Sequence, residues 1–311
     1  MRVATIDIGT NTVLLLVAEE APDGSIRAVA ERATITRLGE GVDRSRTLSR
    51  NAVERTRACL EGYAKVVQEL DVGRVAVVGT SAMRDAQGAE DLRLAIRVLF
   101  GVEVSVLSGV EEARLTFVGG LDGLGLEATE DVALFDIGGG STEVVVGRLG
   151  KGQPATPYVQ SFDVGSVRLT ERHVLSDPPT EAEVAALSRN AADAFAAVPP
   201  LAAEAIPVGV AGTMTTLAAV ALRVTPYVGA LVHAIVLPTE RLRQVVQHLA
   251  ILDLRSRRAV LGMEPNRADV ILAGGYIALA LLDHWRAGAV RISDRGLRWG
   301  LAHELMHAPP G

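Results

Sequence analysis

The sequence predicts an α/β protein of two domains that share one order of strands and helices, and three observations carry that reading. The stretches "IDIGTNTVLLLV" at Ile6 and "FDIGGGSTEVVV" at Phe135 each place Asp-Ile-Gly and small polar residues between an apolar run and a β-branched strand. Asp136 stands 136 − 7 = 129 residues after Asp7. Apolar periodicity gives the order β-β-β-α-β-α-β-α twice, so the echo is a repeat of whole domains. A chain of 311 residues with 49% hydrophobic content suits two domains of ordinary size better than one.

In the first half, strand patterns cover 2–8, 12–19 and 25–37, and a helical period covers 49–70. A strand at 74–79, a helix at 89–99, a strand at 102–107 and a helix from about 109 complete it. The glycine-rich "GGLDGLGLEATED", near 120–131, reads as the linker, which divides the chain into 1–125 and 126–295. Strands at 132–137, 142–149 and 157–163 then restart the order, followed by helices within 165–203 and a strand at 206–211. A helix from Thr213, helices within 239–286, a strand at 289–293 and a last helix from about 296 finish the chain.

Composition excludes several classes of function. The net charge of −6 and 4% aromatic content argue against a nucleic-acid binder. The longest uncharged apolar run, Val270 to Leu282, stops at Asp283, short of a membrane span. The start "MRVATIDIG" enters a strand at once, without a signal-peptide pattern, and Cys59 is the single cysteine; both point to the cytoplasm. Of 31 basic residues only Lys65 and Lys151 are lysines, leaving 31 − 2 = 29 arginines. Two runs of them, Arg44, Arg46, Arg50, Arg55 and Arg57, and Arg255, Arg257 and Arg258, read as solvated helix faces or as a basic track for an anionic substrate.

Each Asp-Ile-Gly falls at the bend between the first two strands of its half. Amides freed in a tight, small-residue bend make a concave anion site, and two such bends facing each other across a cleft suit phosphate. The residues are Gly9, Thr10, Asn11 and Thr12 in the first bend, and Gly138, Gly139, Gly140, Ser141 and Thr142 in the second. Asn11, Thr12, Ser141 and Thr142 add side-chain donors. A dinucleotide fingerprint is excluded, because "GGGSTEVVV" puts Glu143 at the third glycine position and runs into a strand. A third anion site is expected at "VGVAGTMTTLAAV", where Gly212 and Thr213 open a helix.

Asp7 and Asp136 end their strands at the floor of the expected cleft. Glu143 lies inside a valine strand, where a lone carboxylate is costly without a partner or a metal, and the matching position of the first half is Leu14. Asp136 and Glu143, on adjacent strands, suit hydrated Mg²⁺, with Mn²⁺ as the alternative ion. In "VLSGVEEARLTF", Ser108 and Glu111 form an S-x-x-E capping box. Glu112, turned about 100° away, is left to orient and deprotonate a water. Arg84, past the end of strand 74–79, is placed to clamp a phosphoryl group. The "HELMH" at 303–307 matches a zinc-protease pattern, but nothing around it suggests such a cleft, and its histidines read as one face of a closing helix.

Taken in order, "IDIGTNT", "GTSAMRDA", "SGVEEARLTF", "FDIGGGSTEVVV", "GVAGTMTTLA" and "SDRGLRWGL" resemble the exopolyphosphatase and guanosine-pentaphosphatase family of the actin-like superfamily, over nearly the whole chain. The resemblance implies two ribonuclease-H-like domains with a cleft between them, and Mg²⁺-dependent release of terminal phosphate. By its motifs Glu112 is the catalytic glutamate and Arg84 a phosphate ligand. Asp136 and Glu143, with Asp7 nearby, become the metal-linked acids, and the last helix, about 296–311, folds back on the first domain. The chain resembles the short form that lacks a further helical module, and a homodimer enters the expectation only through the family. The leading expectation is therefore an exopolyphosphatase acting on inorganic polyphosphate. A guanosine pentaphosphate phosphohydrolase is the nearest rival. An actin-like kinase would need an acceptor site, and a nucleotide-gated chaperone or filament protein would need insertions that the sequence does not show.

Overall fold

The computed structural model describes residues 1–127, 129–148, 150 and 155–308. Position 128 of the expected linker, position 149 of the expected strand 142–149 and the last three positions of the closing helix lie outside them. The chain divides into two compact units, Met1–Gly119 with Leu297–Gly311, and Gly120–Gly296. The division falls at 119/120, six residues before the expected 125/126, within the last turn of a helix that the sequence places from about 109.

The first unit runs β1 (Arg2–Ile8), β2 (Thr12–Glu20), β3 (Ile26–Ile35), α1 (Val42–Ser45), α2 (Arg50–Glu69), β4 (Arg74–Gly79), α3 (Ser81–Asp85), α4 (Glu90–Phe100), β5 (Val104–Val106) and α5 (Gly109–Leu121). Its sheet order is β3-β2-β1-β4-β5, an antiparallel meander extended by two strands parallel to β1. Ser49 starts α2 by accepting the Ala52 amide. The spacing of Ala52, Thr56, Leu60 and Tyr63 then puts one buried stripe on the sheet. Tyr63 anchors it through a 3.0 Å hydroxyl bond to the Val13 carbonyl.

The second unit runs β6 (Val132–Ile137), β7 (Thr142–Arg148), β8 (Ala155–Phe162), α6 (Ser166–His173), α7 (Glu181–Ala194), β9 (Ile206–Val210), α8 (Ala211–Leu222), α9 (Gly229–Val232), β10 (Val236–Pro238), α10 (Thr239–Ala250), α11 (Leu254–Arg258), α12 (Ile271–His284) and β11 (Ala289–Ile292). Its sheet reads β8-β7-β6-β9-β11-β10, the order of the first unit with an added antiparallel edge strand. Helices α8 and α12 are nearly apolar all round and fill its core with Met214, Leu217, Ile277 and Leu281. Helix α13 (Leu297–His307) returns to the first unit, where Trp299 and Ala302 pack on Val3, Leu16 and Ala18. On it, His303 and His307 stack at 6.4 Å, and His307 Nδ1 bonds the His303 carbonyl at 2.7 Å.

The two leading hairpins pair in the same register. Asp7 lies opposite Leu14 and Ile8 opposite Val13; Asp136 lies opposite Glu143 and Ile137 opposite Thr142. Every one of these pairs is displaced by the same 129 residues, so the sequence repeat is also a repeat of side-chain facing.

Candidate active site

In the first unit, the bend closes when the Gly9 amide donates to the Thr12 carbonyl at 3.0 Å. The segment after β3 then takes the bend's carbonyls. Thr36 and Arg37 amides donate to Asn11 O at 3.0 Å each, and the Gly39 amide donates to Thr10 O at 2.8 Å. A trans peptide points its C=O and N–H in opposite directions, so fixing these two carbonyls aims the Asn11 and Thr12 amides the other way. Asn11 is buried, and among the described residues its Nδ2 has no hydrogen-bond partner. A buried donor left without a protein acceptor is what an anion site requires before it fills.

Strands β4 and β5 are parallel neighbours, so the segments after them emerge at one edge of the sheet. Arg84, in the last turn of α3, and Glu112, in the first turn of α5, meet there. Arg84 Nη1 donates to Glu112 Oε2 at 3.2 Å and to Leu107 O at 2.9 Å, and Nε lies 3.8 Å from Asp85 Oδ1. Glu112 is 8% exposed. Its neighbour Glu111 completes the capping box, with the Ser108 amide donating to Oε2 at 2.8 Å and the Glu111 amide to Ser108 Oγ at 3.3 Å. The Ser108 hydroxyl, which donates to Oε2 at 2.7 Å, and then the Ser108 amide hold the Glu111 carboxyl below its usual pKa. Asp7 ends β1 beside this edge, aligned with Val78 of β4 and buried.

In the second unit, the Gly138 amide closes its bend on Ser141 O at 3.0 Å, the counterpart of the Gly9 bond. Thr142 departs from the expected pattern of side-chain donors, and the Thr213 side chain is likewise occupied. The Thr142 hydroxyl donates to Val164 O at 2.6 Å and the Thr213 hydroxyl to Ile137 O at 3.0 Å. A hydroxyl has one proton, so both side chains serve the scaffold and leave backbone amides for a ligand. At the direct junction of β9 and α8, Ala211 has φ 64°, a left-handed conformation that costs a non-glycine residue energy. The Arg267 guanidinium lies so close to Gly212 that a methyl group there would collide with it. Burial lowers the Arg267 pKa. No motif marked Arg267 in the sequence; only its spatial neighbour Gly212 did.

Asp136 and Glu143 are directly opposite, so both carboxylates leave the same face of the hairpin. Glu143 is 1% exposed and accepts the Ser161 hydroxyl at 2.6 Å. Two like charges side by side in a sheet repel, and a cation between or beside them removes that repulsion. The pair therefore fits a divalent ion that takes one or two carboxylates and keeps water for its remaining positions. Among the described residues there is no group of three or more His, Cys, Asp or Glu that would form an all-protein cage. Asp7 faces Leu14 and finds no second carboxylate across its hairpin.

The second arginine run resolves differently from a basic track. Arg257 is 2% exposed and donates to three carbonyls, Leu249 O at 3.1 Å, Ala268 O at 3.0 Å and Leu252 O at 2.9 Å. Its role is to close helix ends inside the second unit. In the first run, Arg50, Arg55 and Arg57 pair with Glu54, Glu40 and Glu61, while Arg44 and Arg46 are exposed.

The two sheets of matching strand order define the two-domain actin-like class, to which phosphatases with this family profile belong. The Ppx/GppA phosphatase family profile matches residues 16–308, and the chain belongs to that family. It is 37% identical to Exopolyphosphatase 2 of Mycobacterium tuberculosis, over 98% of each chain. It is 31% identical to Exopolyphosphatase 1 of Mycobacterium bovis, over 97% of this chain and 87% of that one. Among solved structures, the Aquifex aeolicus PPX-GPPA enzyme superposes with a TM-score of 0.81 at 35% identity, covering 98% of this chain and 99% of that one.

Proposed function

We propose that this phosphatase is an exopolyphosphatase that removes the terminal phosphate of inorganic polyphosphate. The observation that carries the reading is the outward aim of the bend amides, fixed by carbonyl bonds on the other side and repeated at the same register in both units. Repeated anion sites suit a polyanion with identical links. The relatives named exopolyphosphatase support the choice of substrate, and 4% aromatic content leaves little for stacking a guanine base.

In the proposed reaction the bend amides and Arg84 orient the terminal phosphoryl group, and Glu112 takes a proton from the attacking water. The Arg84 bond fixes the rotamer of Glu112, so that the base is oriented before substrate arrives. Asp136 and Glu143 would hold Mg²⁺ or Mn²⁺, which when bound neutralises phosphate oxygens. We place the reaction in the cytoplasm: the chain carries a single cysteine, and no helix among the described residues is long and apolar enough to cross a membrane.

The test is phosphate release from long polyphosphate, tripolyphosphate and guanosine pentaphosphate, each with Mg²⁺ or Mn²⁺. Polyphosphate is expected to be preferred, and Glu112→Gln to lower turnover by ~10²–10⁴. A Glu112→Gln protein that melts like wild type and keeps its turnover would overturn the assignment of the base. Preference for guanosine pentaphosphate would transfer the same site to the nucleotide substrate.

A further inference from the structure

We propose that Arg168 is the positioning residue of the triple-glycine bend, aiming its amides at phosphate from behind. The proposal rests on the phosphate-binding role given to that bend above.

Three carbonyls of the bend are turned towards the start of α6. Gly138 O accepts the Ser166 amide at 2.9 Å and the Ser166 hydroxyl at 3.1 Å. Gly139 O accepts the amides of Val167 at 2.9 Å and Arg168 at 3.1 Å. Gly140 O accepts Arg168 Nε at 2.7 Å. The C=O of residue i shares a rigid trans plane with the N–H of residue i+1 and opposes it. Holding these three carbonyls therefore points the amides of Gly139, Gly140 and Ser141 to the opposite side. The free amides at the start of α6 would themselves attract an anion, but here they are occupied in holding the bend.

Gly165 makes this approach possible. A methyl group there would run into the Gly139 carbonyl and the Gly140 backbone, neither of which can move aside as a flexible side chain would. Arg168 is 5% exposed, so its guanidinium is committed to the interior. A cation's hydrogen bond to a carbonyl is stronger than an amide's, and Arg168 supplies it at the peptide that carries the Ser141 amide. In the first unit the bend carbonyls Thr10 O and Asn11 O accept backbone amides, those of Thr36, Arg37 and Gly39.

The experiment uses Arg168→Met and Arg168→Lys in the full chain, with amide hydrogen exchange of the segments spanning 138–142 and 9–13, and kinetics of phosphate release from polyphosphate. With Arg168→Met, exchange is expected to quicken about tenfold or more at 138–142 while 9–13 is unchanged. KM is expected to rise about 10- to 100-fold with a smaller change in kcat, since the lost bond is worth that ratio in ligand binding. Arg168→Lys keeps the charge without the guanidinium's in-plane Nε–H and should recover only part of either effect. If Arg168→Met does not fold, Arg168→Lys carries the same two measurements, with expected changes in the same direction. Unchanged exchange at 138–142 in a folded variant would overturn the proposal, as would a loss of stability with KM unaltered. If wild-type protein released no phosphate, the exchange result would still decide the positioning role, so the two failures are separable.

Discussion

Glu143→Gln removes the charge that stands where the first hairpin has Leu14. Directly opposed residues in an antiparallel pair hold their Cβ atoms about 4.5–5.5 Å apart. Taking the Asp136 and Glu143 charges as roughly 5.5 Å apart in an effective dielectric of about 20, their repulsion is roughly 3 kcal/mol. Glutamine removes the charge and keeps an oxygen for the Ser161 hydroxyl, although a bond to a neutral acceptor is weaker by about 1 kcal/mol. The net expectation in chelator is a variant more stable than wild type by about 1–2 kcal/mol, or about 3–6 °C in Tm for a unit of this size. Mg²⁺ at millimolar concentration should raise the wild-type Tm and leave the variant nearly unmoved. Turnover should fall by ~10²–10³, the usual loss when one pre-organised electrostatic group is removed. Calorimetry with and without Mg²⁺, beside phosphate release, reads all three. A variant less stable than wild type in chelator and equally active would refute the reasoning, because Glu143 would then be a structural carboxylate.

Two further predictions concern the scaffold. Arg257→Leu removes the donor from three carbonyls, two of them buried, and should destabilise the second unit by about 3 kcal/mol, read by urea melts, while KM for polyphosphate stays near wild type. A weakened KM at unchanged stability would return Arg257 to a substrate track. Glu183 is held at a pKa of about 2, below the ordinary 4.5, first by the Ser176 hydroxyl and then by the Thr180 and Leu175 amides. Because the folded value is depressed, its contribution is complete above about pH 4.5 and is lost as pH falls through about 2. The Tm gap between wild type and Glu183→Gln should therefore be constant from pH 7 to about 5 and close below it; a gap that widened on acidification would contradict the assigned direction.

The hairpins were legible in the sequence because strand side chains alternate with period two. Equal spacing from Asp7 to Leu14 and from Asp136 to Glu143 then fixed equal facing, provided each bend was a short turn. The capping box at Ser108 was legible for the same kind of reason, since its three-residue reach is local. Among the elements of three to five residues, α1, α3, α9 and β10 show no period, so the sequence places Arg84 only past the end of strand 74–79, although it lies in the last turn of α3. The pairing of Arg84 with Glu112 spans 28 residues and comes from two strands lying parallel, which no local pattern records.

Buried arginines were the least legible feature, because an arginine on a helix reads as a solvated face. Arg168 and Arg257 both lie inside the second unit and both donate to backbone carbonyls; one braces the triple-glycine bend and the other closes helix ends. A guanidinium can fill that role because its planar fork satisfies carbonyls that no nearby amide can reach. In the sequence, where 29 of 31 cations are arginine, the arginine runs read as solvated helix faces or as a basic track for an anionic substrate. The structure adds an interior use: Arg168 holds the Gly140 carbonyl, and the Ser141 amide of the same peptide faces the other way. The inequality of the two repeats therefore extends beyond Leu14 and Glu143. The second hairpin carries both the carboxylate pair and the charged brace, whereas among the described residues the amides of Thr36, Arg37 and Gly39 take the carbonyls of the first bend.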